Sequence, residues 1–160
     1  MPTTLRQVKA RIAAIVQAAD QPAKVYTFRR NLKQEADVPK FIGTDNRLHF
    51  WHIFRENVAL TDLVINQNFV QQDDVLVIEG FMAVKDDDDS EELFDAAIDA
   101  VLQGVNADRR AAPGGTKLNG LVSTATTPKM RKMDHQLYGV SPVVCHHAEI
   151  VMTVTPRYLQ

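Results

Sequence analysis

The sequence predicts an α+β fold, a mostly antiparallel sheet with two helices packed on one face, with residues 1–160 forming one domain. Three observations predict it. Two segments repeat apolar residues at the three- and four-residue spacing of a helix. Several other stretches carry the two-residue alternation or the short apolar run of a strand. Their order is helix, strands, helix, strands, which sets both helices against a sheet made mainly of neighbouring antiparallel strands.

Leu5, Val8, Ile12, Ile15, Val16 and Ala19 make the first apolar stripe. Thr3 or Thr4 is placed to cap this helix, and Asp20, Gln21 and Pro22 stop it. A short β-type run covers 24–28, and the polar stretch 29–40, with Pro39, is expected as a loop. Over 47–54 the chain alternates. Leu48, Phe50, His52 and Phe54 fall on one strand face, and His49, Trp51 and Ile53 on the other. Large side chains on both faces predict a strand covered on both sides. A further strand is expected at 63–70, a turn at 71–74, and the central strand at 75–84, where Gly80 marks a bulge or a close backbone approach.

The acidic run that follows leads into a second helix. Asp89 and Glu92 have capping-box spacing, and Leu93, Phe94, Ala97, Ile98, Val101 and Leu102 form the buried stripe. Gly104 is placed to end it. Residues 106–120 read as loop, 121–127 as a strand stopped by Pro128, and 129–139 as a basic, irregular stretch. The last strand is 142–155. It sends His146, Ala148, Ile150, Met152 and Val154 one way, and Cys145, His147, Glu149, Val151 and Thr153 the other.

Composition narrows the function. With 45% hydrophobic and 24% charged residues the chain is of globular type and long enough to bury a core. Its net charge of −2 lacks the basic excess with which proteins grip phosphates, so holding DNA is not its expected task. Cys145 is the one cysteine and has no internal disulfide partner. No apolar h-region follows the opening residues and no apolar run reaches the ~20 residues of a membrane span, so a cytoplasmic site of synthesis is expected.

Chemical motifs are sparse. Asp86, Asp87, Asp88 and Asp89 lack the spacing of a calcium loop, and they suit a solvated helix N-terminus, where negative charge is favoured. In Cys145-His146-His147, the cysteine and His147 share a strand face, but zinc would need further ligands from elsewhere in the chain. Residues 113–117 have the wrong order for a phosphate loop, and no G-x-S-x-G is present. No cofactor is expected. Lys129, Arg131 and Lys132 offer a basic surface for an acidic partner. Trp51, Phe54, Phe69 and Phe81 carry more aromatic surface than one small sheet face hides, which favours self-association.

Several of these segments, taken together, resemble one family. They are the Phe50-Trp51-His52 core, the strand 74–84, the helix 90–102, its exit from Asn106 to Arg109, and the ending 144–154 with Cys-His-x-Ala-Glu-Ile. The chain resembles the tail terminator and tail-completion proteins of long-tailed phages and prophages. It departs from the smaller members by a longer polar segment at 29–46 and a longer loop at 104–120.

The resemblance implies a structural virion protein of the tail or neck, assembled in the host cytoplasm, with no catalysis and no cofactor. It would form a homo-oligomeric ring, commonly a hexamer, that caps the head-proximal end of the tail tube and ends polymerisation. The ring would then offer a surface to the head–tail connector, while DNA passes through its lumen unbound. The acidic residues Asp86, Asp87 and Asp88 are expected at a ring surface or near the lumen. Arg109, Arg110, Lys117, Lys129, Arg131 and Lys132 are the expected docking residues for tube or connector. Three other readings stand beside this one: a head-completion or neck connector protein, an interaction module of a toxin or secretion tube, and a small metal-dependent hydrolase using Asp87 or His147.

Overall fold

The computed structural model describes residues 4–62, 70–85, 89–110 and 117–156. The first helix, α1 (Leu5–Ala19), begins at Thr4 with a capping box. The Thr4 amide donates to Gln7 Oε1 at 2.8 Å and the Gln7 amide donates back to Thr4 Oγ1 at 3.4 Å, so two orphan donors are satisfied. The helix ends at Asp20, whose amide still reaches the Val16 carbonyl at 2.9 Å. Next come β1 (Lys24–Tyr26), a 3₁₀ segment (Glu35–Phe41), β2 (His49–Asp62), β3 (Val70–Ala83) and α2 (Ser90–Arg110). A 3₁₀ turn (Lys117–Gly120), β4 (Val122–Ala125), β5 (Lys129–Tyr138) and β6 (Val143–Pro156) complete the order.

The sheet runs β1-β2-β3-β6-β4, and β5 also pairs with β6. Among the described residues only the β1–β2 pair is parallel. The strand at the centre, β3, is the one the apolar run predicts. Trp51, Ile53, Leu76, Ile78, Met82, Ala148, Ile150, Met152 and Val154 face α1 and α2, whose Val8, Ile12, Val16, Phe94, Ile98 and Val101 complete the main core. This is the expected layering of two helices on one sheet face. The faces read from the alternation of β2 and β6 are also the observed ones.

The opposite face is buried by a second cluster of Phe50, Phe81, Leu48, Ala83, Cys145 and Phe41. Its cover comes from the stretch expected as loop. Phe41, at the end of the 3₁₀ segment, meets the Phe50 ring edge-on at 4.9 Å, and Phe50 stacks on Phe81 at 5.0 Å. A few apolar residues spaced along a polar chain thus suffice to close the second face.

Gly80 is a close approach and not a bulge. It pairs with Trp51, and a Cβ at Gly80 would lie 2.5 Å from the Trp51 ring. The bulge in this hairpin lies between Arg55 and Asn57 instead.

Other expectations are corrected. Residues 71–74 are rungs of β3 paired with β2 and not a turn, while 63–69 lie outside the described residues. Gly104 does not end α2. It sits inside the helix where α1 crosses, and a Cβ there would meet Ile15 Cγ2 at 3.0 Å, so the small residue serves helix packing. Leu93 is 51% exposed, and Val105 takes a buried place in the stripe. Residues 106–110 are helical, and 117–120 form a turn in which buried Leu118 and exposed Asn119 adopt φ of 45° and 56°. The stretch 129–139 is not irregular. It supplies β5, because the edge of β6 beyond β3 needs partners for its backbone groups whatever the side chains are.

The packing of Trp51 on Gly80 generates a test. Gly80→Ala should lower stability by about 1–3 kcal/mol, as overpacking of a closed core does, read from the urea midpoint. An unchanged midpoint would mean that Trp51 swings aside without loss.

Candidate functional site

The basic residues expected to dock partners fall into two groups. Arg109, in the last turn of α2, donates to Asn106 Oδ1 at 2.9 Å, to the Ala125 carbonyl at 3.4 Å and to Thr127 Oγ1 at 2.7 Å. It therefore ties the end of α2 to the β4–β5 connection. On β5, Arg131 bridges Glu56 at 2.6 Å and Glu149 at 2.7 Å, and Lys132 pairs with Asp134 at 3.1 Å. Arg110 and Lys129 are exposed at the corner that Arg109 closes. Lys117 opens the 3₁₀ turn, and its side chain lies outside the described residues, as do Asp86, Asp87 and Asp88.

The aromatic surface expected from Trp51, Phe54, Phe69 and Phe81 is not where the exposed apolar area lies. Trp51 and Phe81 are buried. Phe54 is half-buried beneath the Arg29 guanidinium, 4.1 Å above its ring, and Phe69 lies outside the described residues. The exposed apolar side chains gather instead at two places. One is the β2–β3 hairpin, with Val58, Leu60 (68% exposed) and Val70 on one face. The other is the β5–β6 turn, with Leu137 (68% exposed), Val140, Val143 and Val144.

These two places are diagonal corners of the sheet. The hairpin closes at the end remote from His49, on the β2 side. The β5–β6 turn lies at the other end, where Ala83 pairs with Cys145, and on the β6 side. Each corner adjoins an open strand edge: among the described residues the outer edge of β2 is paired only over Phe50–His52, and that of β5 is unpaired.

Beneath this surface the sheet holds three buried polar groupings. At the end of α1, Asp20 accepts from the Trp51 indole N–H and from His49 Nε2, both at 2.7 Å, and His49 Nδ1 meets Asp45 at 2.7 Å. Both ring nitrogens of a buried His49 therefore face carboxylates. Burial opposes the charged ring, but the bond to Asp20 and the fields of Asp20 and Asp45 outweigh it, and the His49 pKa is raised.

On the face away from the helices, buried His147 repeats this pattern. Its Nδ1 lies 2.6 Å from Asp134, and its Nε2 3.2 Å from Glu79 and 3.8 Å from Glu149. Burial again opposes the charge and the carboxylates outweigh it, raising the His147 pKa. Glu79 is held far below the usual carboxylate range: desolvation works against this, and His147, His52 and Arg29 overcome it.

The third grouping links Ser90, the first residue of α2, to His146 Nε2 at 3.0 Å, and His146 Nδ1 to His135 Nε2 at 3.1 Å. Burial and the neighbouring His135 push the His146 pKa down. The buried Ser90 hydroxyl also exchanges hydrogen bonds with the Lys85 amide and carbonyl. It acts as a tether from the end of β3 to the start of α2. Cys145 shares the strand face of His147 but packs with Phe50 and Phe81, and burial pushes its thiol up to about 12. That is the environment of a packing cysteine, not of a thiolate ligand.

Glu79 and Asp134 escape sequence reasoning because they meet His147 only through strand register, and Asp20, read as a helix stop, finds His49 and Trp51 only once α1 lies over β2. His52, Glu79, Glu149 and Lys132 are consecutive partners across four strands, though they are spread along the chain from 52 to 149. No helix among the described residues is long and apolar enough to cross a membrane. A scan against protein-family models finds no match, and a search of curated proteins finds none.

The charged histidines predict a pH dependence. The raised folded pKa of His49 means that its contribution is whole below the unfolded value of about 6.5 and is lost as pH rises through the folded value. Stability should therefore fall as pH is raised above about 6.5. His49→Gln should be less stable and show a flatter fall, followed by urea midpoints at several pH values; a slope unchanged in the variant would place the proton elsewhere.

Proposed function

We propose that this chain is a non-enzymatic assembly subunit that closes into a ring on the head-proximal end of a phage tail tube, as the tail-terminator resemblance implies. The observation that carries the reading is the pair of dissimilar exposed apolar corners at opposite ends of one sheet diagonal. A surface that meets a different surface on the next copy makes a heterologous contact, and repetition of such a contact gives a closed ring when the rotation fits. Leu60 with Val58 and Val70 would be one half of that contact, and Leu137 with Val140, Val143 and Val144 the other. Isolated exposed apolar residues are common, but clusters of three and four beside open edges are typical of interaction surfaces.

Charge supports the same reading. Arg109, Arg131 and Lys132 are engaged by partners within the chain, and the net charge is −2, so a lumen built from this subunit would not grip passing DNA strongly. Arg110 and Lys129 are then the basic residues proposed to meet the tube or the head connector. The polymer stops because the two ring faces differ: one matches the tube end and the other does not match a further tube subunit.

Light scattering over a concentration series should give a closed oligomer near six copies. Leu60→Asp and Leu137→Asp should each yield folded monomers. Each variant keeps one intact corner, so an equimolar mixture should form dimers and nothing larger; a mixture that stays monomeric overturns the heterologous contact. Reversal of both Arg110 and Lys129 to Glu should leave the ring intact and block head–tail joining in an assembly extract, and normal joining would remove them from the docking surface.

A further inference from the structure

On the sheet face opposite the helices, Glu79 and Glu149 are direct cross-strand partners. Like charges in that position repel; Arg29 and Arg131 each hold one of them from the margin, and the space between the two is left for a cation. The nitrogen that faces both is His147 Nε2, 3.2 Å from Glu79 Oε1 and 3.8 Å from Glu149 Oε1. A proton on Nε2 serves Glu79 but is too far from Glu149 to make a second hydrogen bond. One ligand atom from each of the three residues lies within 4.8 Å of the others. A tetrahedral ion with ligands at ~2.0–2.2 Å sets neighbouring ligand atoms about 3.4 Å apart, between the two measured separations.

We infer that Glu79, His147 and Glu149 bind a divalent transition-metal ion, supported from behind by Asp134 and His52. Asp134 takes the Nδ1–H of His147 at 2.6 Å, which leaves the Nε2 lone pair directed at the two glutamates. A carboxylate behind a ligating imidazole is the usual arrangement in metal sites. Arg131 holds Glu149 Oε2 at 2.7 Å and so turns Oε1 toward His147.

His52 is the independent sign. It is 2% exposed, and its Nε2 accepts from the Arg30 amide at 3.3 Å, so Nδ1 carries the hydrogen. That Nδ1 has no hydrogen-bond partner and points at Glu79 Oε2 from 3.6 Å. A buried donor needs an acceptor, and a cation that seats the Glu79 carboxylate would bring Oε2 the last few tenths of an ångström into reach. Arg29, 3.4 Å from Glu79 Oε1 and largely exposed, is the cation the metal would displace. One imidazole and two carboxylates suit Zn²⁺ or Mn²⁺ better than Mg²⁺ or Ca²⁺, which prefer oxygen alone. The ion would join β3 to β6 and, through Asp134, to β5.

The test is a Zn²⁺ titration of the chelator-stripped chain at pH 7.5 by calorimetry, with thermal melts and the visible spectrum of the Co²⁺ form. One Zn²⁺ per chain is expected, with a melting temperature that rises with Zn²⁺ and Co²⁺ bands of a four- or five-coordinate site. Glu149→Gln keeps the surface contact with Arg131 and should weaken binding at least tenfold while folding normally by circular dichroism. Asp134→Asn should weaken it about 10–100-fold. His135→Ala, on the opposite sheet face, should change nothing. The inference is overturned by an absence of stoichiometric binding, by affinity unchanged in Glu149→Gln, or by loss of binding in His135→Ala; a proton on His147, with Arg29 and Arg131, would then balance the two glutamates.

Discussion

Asp20 joins α1 to β2 through one amide and one carboxylate. The amide closes the last turn of α1, and the carboxylate takes the Trp51 indole and His49 of β2 at 2.7 Å each. A buried carboxylate without partners would cost several kcal/mol, so these donors are a condition of the fold and not an addition to it. Once Trp51 is held there, its ring lies over Gly80 of β3 and stacks on Phe94 of α2 at 6.0 Å. The position of α1 over β2, the β2–β3 register at the middle of the sheet and the seat of α2 are therefore set by one cluster.

The rest of the sheet follows from having two faces to cover and only one pair of helices. The middle of the helix face is apolar, and the polar pairs Asp20–His49 and Ser90–His146 lie at one end of it. The other face is covered by a short segment around Phe41, which closes the aromatic rows of Phe50, Phe81 and Tyr138 and reaches little further. The next row, His52, Glu79 and Glu149, lies at the limit of that cover, and against its burial Glu79 is kept in the charged form by His147, His52 and Arg29. Arg29 and Arg131 lean in from the margins to balance it. Burial and charge meet at this boundary, and His147 stands on it.

Elements whose evidence is local are legible in the sequence. The helix α1 with its Thr4 cap, the two faces of β2 and β6, the central place of β3 and the tight spot at Gly80 all follow from spacing within about a dozen residues. What was not legible depends on distant partners. Gly104 looks like a helix stop until Ile15 is seen to cross it. The segment 129–139 carries no strand pattern, since one of its faces is charged and the other exposed, and it is a strand because β6 has an edge to satisfy. Glu79, His147 and Asp134 became a cluster only when register fixed which residues are neighbours. A charged row across strands leaves no trace in any single strand.

The strand edges bear on how copies of the chain could meet. Continuing the sheet from one copy to the next would require regular, uncharged edges. Neither outer strand has one. The β5 edge carries Lys129, Arg131 and Lys132 and a register shift between Met130 and Lys132. The β2 edge is broken by a bulge between Arg55 and Asn57. Both irregularities turn the backbone away from a flat partner and leave the apolar side chains of the corners as the attractive surface. A proposed contact made by side chains at corners can take the angle that ring closure demands, whereas a continuous ladder would impose the twist of the sheet on the whole assembly. The features that blunt the edges against indiscriminate pairing are thus the same ones that leave a corner-to-corner contact the freedom to close.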